Sequence, residues 1–473
     1  MLIAREKERE TLLEAYRADH SQFVAIYGRR RIGKTFLVRE TFNYTFTFEH
    51  AGIARGGRKD QLLAFCNSAR SAGLTDFTQP TCWLEAFELV KAVVRNSDED
   101  KKVVFIDELS WMDTPRSDFM AALESFWNGW ASGRKDILLI VCASATSWMV
   151  DNVIHNKGGL YNRLTAQIHL RPFTLRECEQ LLEAKGVSVT RHQVLEGYMA
   201  FGGVPYYWDL MRKDRSLAQN IDTMIFSEDA PLKDEFDYLY ASLFKKPEEY
   251  VSIVAALGTR KAGMTRKELS ETTGQAPSGG LTKRLADLER CGFIRRYYAF
   301  GKKNNGALYQ LVDNFTLFYY KFLQRKPTDP HYWEHQANTP RRNAWCGLAF
   351  ERVCLEHVEQ IKYSLGISGV LTEVCSWSCG ADAERGIYGS QIDLLISRAD
   401  HVINLCEMKY SADVYSITKN QDECIRHKIH DFQTLAKSRD AIHVTFVTPY
   451  GIAPNSYAGN VQSQVTAEDL FAY

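Results

Sequence analysis

"AIYGRRRIGKTFLVRE", residues 25–40, decides how the first part of the chain folds. A short apolar run, "FVAIY" at 23–27, leads into Gly28-Arg-Arg-Arg-Ile-Gly33-Lys34-Thr35 and then into "KTFLVRETF", which has helical character. Strand, glycine loop, helix is the setting that a GxxxxGK[ST] phosphate-binding frame requires. The glycines let backbone N–H groups turn inward on an anion. Lys34 then reaches the β and γ oxygens, and Thr35 gives its hydroxyl to Mg2+ at a helix N-terminus whose dipole favours negative charge. Gly28, Arg29, Arg30, Arg31, Ile32, Gly33, Lys34, Thr35 and Phe36 are therefore the expected nucleotide-binding residues. The three arginines stand at variable positions of the frame, where solvated side chains are favoured over direct phosphate contact.

Downstream, "KKVVFIDELSWMD" at 101–113 is a continuous apolar strand ending in Asp107-Glu108. Such a run suits a central parallel strand buried on both faces. At its end Asp107 can hold Mg2+ and Glu108 can polarise the attacking water, the two tasks that hydrolysis asks of acids. The next apolar strand, in "DILLIVCASATSWM", ends at Ser144, a candidate γ-phosphate sensor. Arg163 in "LYNRLT" is either an arginine finger or sensor, or a surface or salt-bridged arginine.

Composition bounds the rest. A chain of 473 residues implies about three domains, and 45% apolar with 25% charged residues is a soluble globular mixture. Lys plus Arg equals Asp plus Glu at 58 each, so net charge points to no nucleic-acid partner and local patches must do so. "MLIAREKERETLL" lacks a signal-peptide apolar region, and a start at Met1 is expected. The longest apolar stretches, such as "ILLIVCASA", fall short of the ~20 residues that cross a bilayer. Eleven cysteines without a CxxC pair fit reduced cytoplasmic thiols; Cys375 and Cys379 lack a second ligand pair for zinc.

"REKE" at 5–8, "YGRRRIGKTFLVRE", "VVFIDELSWM", "CASATSWM", "LYNRLT", "RPFTLRE" and "FGGVPYY" at 201–207, in that order, resemble the archaeal-type P-loop ATPases, relatives of the AAA+ and STAND ATPases. The resemblance covers about residues 1–215. It implies an ASCE-type fold, ATP as the nucleotide, "REKE" near the adenine pocket, a helical lid containing "FGGVP", and hydrolysis that serves as a switch or motor.

Residues 216–330 read as the rest of that lid and a winged helix-turn-helix at about 248–312. Three short helices come first, the second opening on the capping pair Thr265 and Glu268, and a two-strand ribbon around "GKKNNG" follows. Lys283, Arg284, Arg290, Arg295, Arg296, Lys302 and Lys303 give it a basic face that either neutralises DNA phosphates or packs on the ATPase or a neighbouring subunit. A linker is expected within "QRKPTDPHYWEHQANTPRRN", 324–343.

In residues 331–473, "NAWCGLAFERVCLEHVEQIKY" has helical apolar spacing and carries Glu351. "SQIDLLISR" and "HVINLCEMKYS" read as paired strands carrying Asp393, then Glu407 and Lys409, in an α-β-β-β-α-β order with "GVLTEVCSW" as the first strand. In a hairpin, Asp393 and Glu407 can converge on one divalent ion with the Met408 carbonyl and Glu351, leaving Lys409 to orient or deprotonate a water. This set resembles the PD-(D/E)xK nuclease superfamily, and its place after an ATPase resembles the DUF234 domain. The resemblance makes Asp393, Glu407 and Lys409 catalytic, with Mg2+ or Mn2+ held by Glu351, Asp393 and Glu407. No proline precedes Asp393, and "YGIAPNSYAGNVQSQVTAEDLFAY" lies outside the minimal core.

The expected architecture is a multidomain α/β chain: a P-loop NTPase parallel sheet, a helical lid plus winged helix, and a restriction-endonuclease-like α/β domain. The expected activity is an Mg2+-dependent ATPase switch coupled to a nuclease-like domain acting on nucleic acid, DNA foremost. A homo-oligomer suits such a switch, and defence or DNA processing suits the pairing. The alternative is an ATP-dependent signalling or scaffold protein whose C-terminal domain binds DNA or protein without cleavage.

Overall fold

A computed structural model of the chain describes residues 2–302 and 306–472. It divides into two compact units between Pro172 and Phe173. Lys303 lies outside the described residues.

The first unit is built on five strands: β1 (Gln22–Tyr27), β2 (Phe48–Ala51), β3 (Lys102–Asp107), β4 (Ile137–Ala143) and β5 (Ala166–His169). They lie in the order β2-β3-β4-β1-β5, and every pairing is parallel. Successive side chains of a strand point to opposite faces, and here both faces are covered. Phe23, Ala25, Val104, Ile106, Leu139 and Val141 face one core, which the helices Arg58–Ser71, Trp83–Asn96 and Phe119–Gly129 fill with Phe65, Trp83, Phe87 and Phe126. Val24, Ile26, Val103, Phe105, Leu138 and Ile140 face the other, closed by Leu12, Leu37 and Val38 from the helices Glu6–Arg17 and Lys34–Thr41. Unbroken apolar runs are thus required of β1, β3 and β4. Since β4 lies between β1 and β3, the residue that follows it stands between the glycine loop and the acidic pair.

The second unit begins with the helices Leu175–Ala184 and Arg191–Phe201 and the "FGGVP" turn. Gly203 must be glycine: a Cβ there would lie 1.8 Å from the Phe173 carbonyl oxygen, whose own N–H donates to the Gly203 carbonyl at 2.6 Å. The same Phe173 oxygen accepts the Tyr198 hydroxyl at 2.8 Å. The motif is a backbone cross-tie.

Next comes a module of helix Pro247–Gly258, β6 (Met264–Thr265), helices Arg266–Thr273 and Gly279–Arg290, β7 (Ile294–Tyr297) and β8 (Leu308–Leu311). Its sheet runs β6-β8-β7, antiparallel throughout, so β6 adds a third strand to the two expected. Thr265 caps its helix with Glu268 in the anticipated box. The ribbon is shorter than its sequence suggests because β7 ends at Tyr297. Ala299 then bridges Ser376, and the Phe300 N–H donates to the Ser376 carbonyl at 2.8 Å.

The helix Pro340–Glu356 leads to a mixed sheet of β9 (Thr372–Ser378), β10 (Gln391–Arg398), β11 (Val402–Met408), β12 (Ala441–Val447) and β13 (Val461–Val465), ordered β13-β12-β11-β10-β9. β9, β10 and β11 pair antiparallel, and β12 and β13 continue parallel, with helix Lys419–Ala436 crossing between β11 and β12. β13 comes from the tail that the sequence left outside the sheet. Among the described residues no helix is long and apolar enough to cross a membrane.

His357, 1% exposed, joins the helices of this unit: its Nδ1 bonds the Val353 carbonyl at 2.8 Å and its Nε2 accepts the Leu175 N–H at 3.1 Å. Burial pulls its pKa from 6.5 to about 4. Between those values the unfolded chain takes a proton that the folded protein refuses, so stability is full above pH 6.5 and falls as pH drops toward 4, by on the order of 3 kcal/mol. His357→Gln, which keeps a donor and an acceptor, is expected to flatten that fall in urea midpoints measured at pH 7 and pH 5. An unchanged difference between the two midpoints would remove His357 as its source.

Candidate functional site

At the C-terminal ends of β1, β3 and β4, three loops meet. Gly28, with φ +148°, lets the loop pass the Leu170 carbonyl oxygen, which a Cβ would approach to 2.2 Å. Gly33 (φ +88°) starts the helix Lys34–Thr41 from the left-handed region that favours glycine. Lys34 is buried, and its ammonium donates to the carbonyls of Gly28 and Arg29, both at 2.9 Å, and to Ser144 Oγ at 3.1 Å. The Ser144 hydroxyl in turn donates to Glu108 Oε1 at 2.6 Å. Thr35 Oγ1 donates to Asp107 Oδ2 at 2.5 Å. The structure therefore brings together Lys34, Thr35, Asp107, Glu108 and Ser144.

Glu108 sits in the left-handed region at φ 48°, a strained position for a non-glycine residue, and there its carboxylate reaches Ser144. Gly52 shares in this and sequence reasoning missed it: its N–H donates to the Asp107 carbonyl at 3.0 Å, and a Cβ would meet the Glu108 carbonyl at 2.7 Å. Gln61 Nε2 ties the same loop to the turn beyond Glu108, donating to Ile53 and Trp111 carbonyls at 2.6 and 3.1 Å. Neither residue stands in a motif.

The three loop arginines part company. Arg29 is 4% exposed and so is not a solvated residue, correcting the expectation for that position; Arg30 is exposed and Arg31 half-buried. Ile32 packs in the core and Phe36 is exposed. Arg163 is exposed on the loop before β5, and among the described residues no side-chain bond joins it to this network. The hard oxygens of Thr35 and Asp107 suit Mg2+, whose charge neutralises β- and γ-phosphate oxygens when bound. The chain's own contribution is a cationic loop, a carboxylate held by Ser144, and a lysine joined to both.

A second acidic site lies in the second unit. Glu351, Asp393, Glu407 and Lys409 line one cavity of about 520 Å3. Pairing of Leu394 with Cys406 makes Asp393 and Glu407 neighbours at the next step of the ladder, and a register shift on the other edge of β10, between Ile392 and Leu395, turns the strand at Asp393. Glu407 bonds Lys409 at 2.8 Å and Lys428 at 2.7 Å. Glu351 and Asp393 share Lys261, at 2.7 and 3.2 Å. Neither Lys261 nor Lys428 was foreseen, since no spacing in the sequence links them to the acids.

Burial acts to raise the Glu407 carboxyl, but Lys428 and Lys409 outweigh it and hold the group below its usual range. Asp393 is likewise lowered, burial being overcome by Lys261 and Gln391. Glu351 is raised, by burial first, with Asp393 adding to the shift against the pull of Lys261. Among the described residues, the group whose ligand atoms all lie within 4.8 Å of one another is instead Asp222, His331 and Glu334. There Asp222 caps the short helix Tyr332–His335 through the N–H groups of Trp333 and Glu334.

The basic residues of the 247–311 module are dispersed. Lys283 and Lys302 are exposed; Arg296 lies 3.7 Å from Glu289. Arg284 is held by Glu249 at 2.7 Å and by Gln275, and Arg295 donates to Gln310 at 2.6 Å. Burial, with Arg352 nearby, lowers the Arg295 guanidinium.

Residues 2–210 match the model of an ATPase domain predominantly from Archaea. An uncharacterized protein of Methanocaldococcus jannaschii is 23% identical over 365 residues, 76% of this chain and 78% of that one. Similar solved structures include a Walker-type ATPase of Pyrococcus abyssi, 14% identical over 67% of this chain and 95% of that one with a TM-score of 0.46. Another is the ORC2 protein of Aeropyrum pernix with ADPNP and ADP, 16% identical over 76% and 96% with a TM-score of 0.42.

Lys34 and Glu108 stand on opposite sides of Ser144, so their contributions are testable apart. Lys34→Ala is expected to remove nucleotide binding. Glu108→Gln should keep it, measured with a fluorescent ATP analogue, and lower phosphate release about 100-fold or more. Release by Glu108→Gln at the wild-type rate would exclude Glu108 as the base. Residues 2–210 are an archaeal-type ATPase domain on a five-stranded parallel sheet, and the chain continues beyond it into a further sheet domain.

Proposed function

We propose that the chain is an ATP-hydrolysing switch whose C-terminal sheet domain cleaves nucleic acid, DNA foremost, with Mg2+ or Mn2+. The observation that carries this reading is the shared cavity: a helix gives Glu351, β10 gives Asp393, β11 gives Glu407, and Lys409 follows two residues on. The donor set fits a hard divalent cation, being carboxylate oxygens, and Glu351 Oε2 is buried with no hydrogen-bond partner. A metal held by Glu351, Asp393 and Glu407 supplies charge to polarise a phosphodiester. Lys409, tied to Glu407, would orient the attacking water by donating to it.

The 247–311 module has the element order of a winged helix, and Lys283, Arg296 and Lys302 are its outward basic groups for backbone phosphates. The cysteines are all free thiols, which suits the reducing cytoplasm. Defence or DNA processing accommodates both chemistries, and assembly into a homo-oligomer suits the switch. A binding domain without cleavage is the competing reading, favoured by the lysines that already pair all three acids.

Incubation of full-length protein with linear duplex and single-stranded DNA, ATP, and Mg2+ or Mn2+ decides between them. Cleavage is expected, lost in Asp393→Asn and at least tenfold weaker in Lys34→Ala. Retention without cleavage under every metal favours the binding domain, and cleavage indifferent to Asp393→Asn removes the proposed active site.

A further inference from the structure

Of the three lysines on the acidic pocket, Lys409 and Lys428 belong to the C-terminal domain, whereas Lys261 arrives from the loop between helix Pro247–Gly258 and β6. Its ammonium lies 2.7 Å from Glu351 Oε1 and 3.2 Å from Asp393 Oδ2. That is the position of a cation bridging two carboxylates. Metal–oxygen distances of about 2.0–2.6 Å leave no room for a divalent ion and an ammonium at one point between the same oxygens.

The loop that delivers Lys261 is anchored on all sides. Its carbonyl accepts Arg352 Nη2 at 2.7 Å and Gln310 Nε2 at 2.6 Å. The neighbouring Ala262 carbonyl accepts the Tyr297 hydroxyl. Gly263, at φ +79°, allows the loop to press on β8, where a Cβ would meet the Tyr309 oxygen at 2.2 Å. Arg352 is itself buried, and follows Glu351 on the same helix. Beyond β7, Phe300 packs on Phe432 at 5.0 Å and bonds the edge of β9. The module therefore grips the C-terminal domain at two places, the loop and the wing, and one of them ends in the pocket.

We infer that Lys261 is an autoinhibitory plug, a tethered cation that keeps the divalent metal out of the Glu351–Asp393 pair until the loop of the winged module withdraws. The inference rests on the metal-site reading of the pocket. While Lys261 holds Glu351 and Asp393, and Lys409 and Lys428 hold Glu407, the three acids are divided between separate cations. Withdrawal of Lys261 removes the ion pairs that Glu351 and Asp393 share, and the buried Glu351 Oε2 has no hydrogen-bond partner. A divalent ion is the group that answers both carboxylates.

The test is Mn2+ binding to the nucleotide-free full-length chain, read from the free-Mn2+ electron paramagnetic resonance signal. The site of interest is the one lost on Asp393→Asn. Lys261→Met and Lys261→Gln are measured with and without that change; glutamine keeps a polar donor of similar length where methionine disturbs folding. Both variants are expected to bind Mn2+ at the Asp393-dependent site at least tenfold more tightly than wild type. An Asp393-dependent site of equal affinity in all three proteins overturns the plug and leaves the metal site standing. No Asp393-dependent Mn2+ in any of them overturns the plug and the metal-site reading together.

Discussion

A charge taken out of water must be answered inside the protein, and both sites of this chain are organised by how a lysine ammonium is answered. Lys34 donates to two backbone carbonyls and to the Ser144 hydroxyl, which stands against Glu108. Lys261 is met by two carboxylates. The same functional group thus lies among backbone carbonyls of the glycine loop in the first unit and between two carboxylates in the second. The surrounding backbone follows from this. Gly28 presents its carbonyl to Lys34, Gly33 starts the helix that carries Lys34, and Gly263 lets the Lys261 loop lie against β8.

What was legible in the sequence was what is contiguous. The glycine loop, Asp107-Glu108 at the end of an apolar run, and Ser144 after another are each short words whose geometry follows from strand, turn and helix. Doubly buried strands carry no alternation, and the same uniformity that marks β3 and β4 as central also places their last residues at the site. Ser144 was readable only as a position; its role as the link between Lys34 and Glu108 needed β4 to lie between β1 and β3.

What was not legible comes from pairing across long separations. Lys261 and Lys428 reach the pocket from a loop and a helix whose local sequence says nothing about acids elsewhere. Gly52 looks like any loop glycine until the Glu108 carbonyl is found against it. The ribbon after Phe293 was read as a self-contained hairpin because "FIRRYYAF" and "ALYQLVD" flank the "GKKNNG" turn; the edge of β9 takes Ala299 and Phe300 from that segment. Arg29 was misjudged because an arginine in a glycine loop looks solvated, whereas the structure buries it.

That bridge to β9 has a further meaning. β9 is the outermost strand of its sheet, and an outermost strand offers unpaired amides and carbonyls to any extended chain that meets it. The segment after β7 covers part of that border with the backbone of Ala299 and Phe300 and with the Phe300 ring. Any movement that frees the module also uncovers adhesive backbone. A form with Lys261 withdrawn, as inferred above, would therefore be the more prone to take up a strand from another molecule, including another copy of itself.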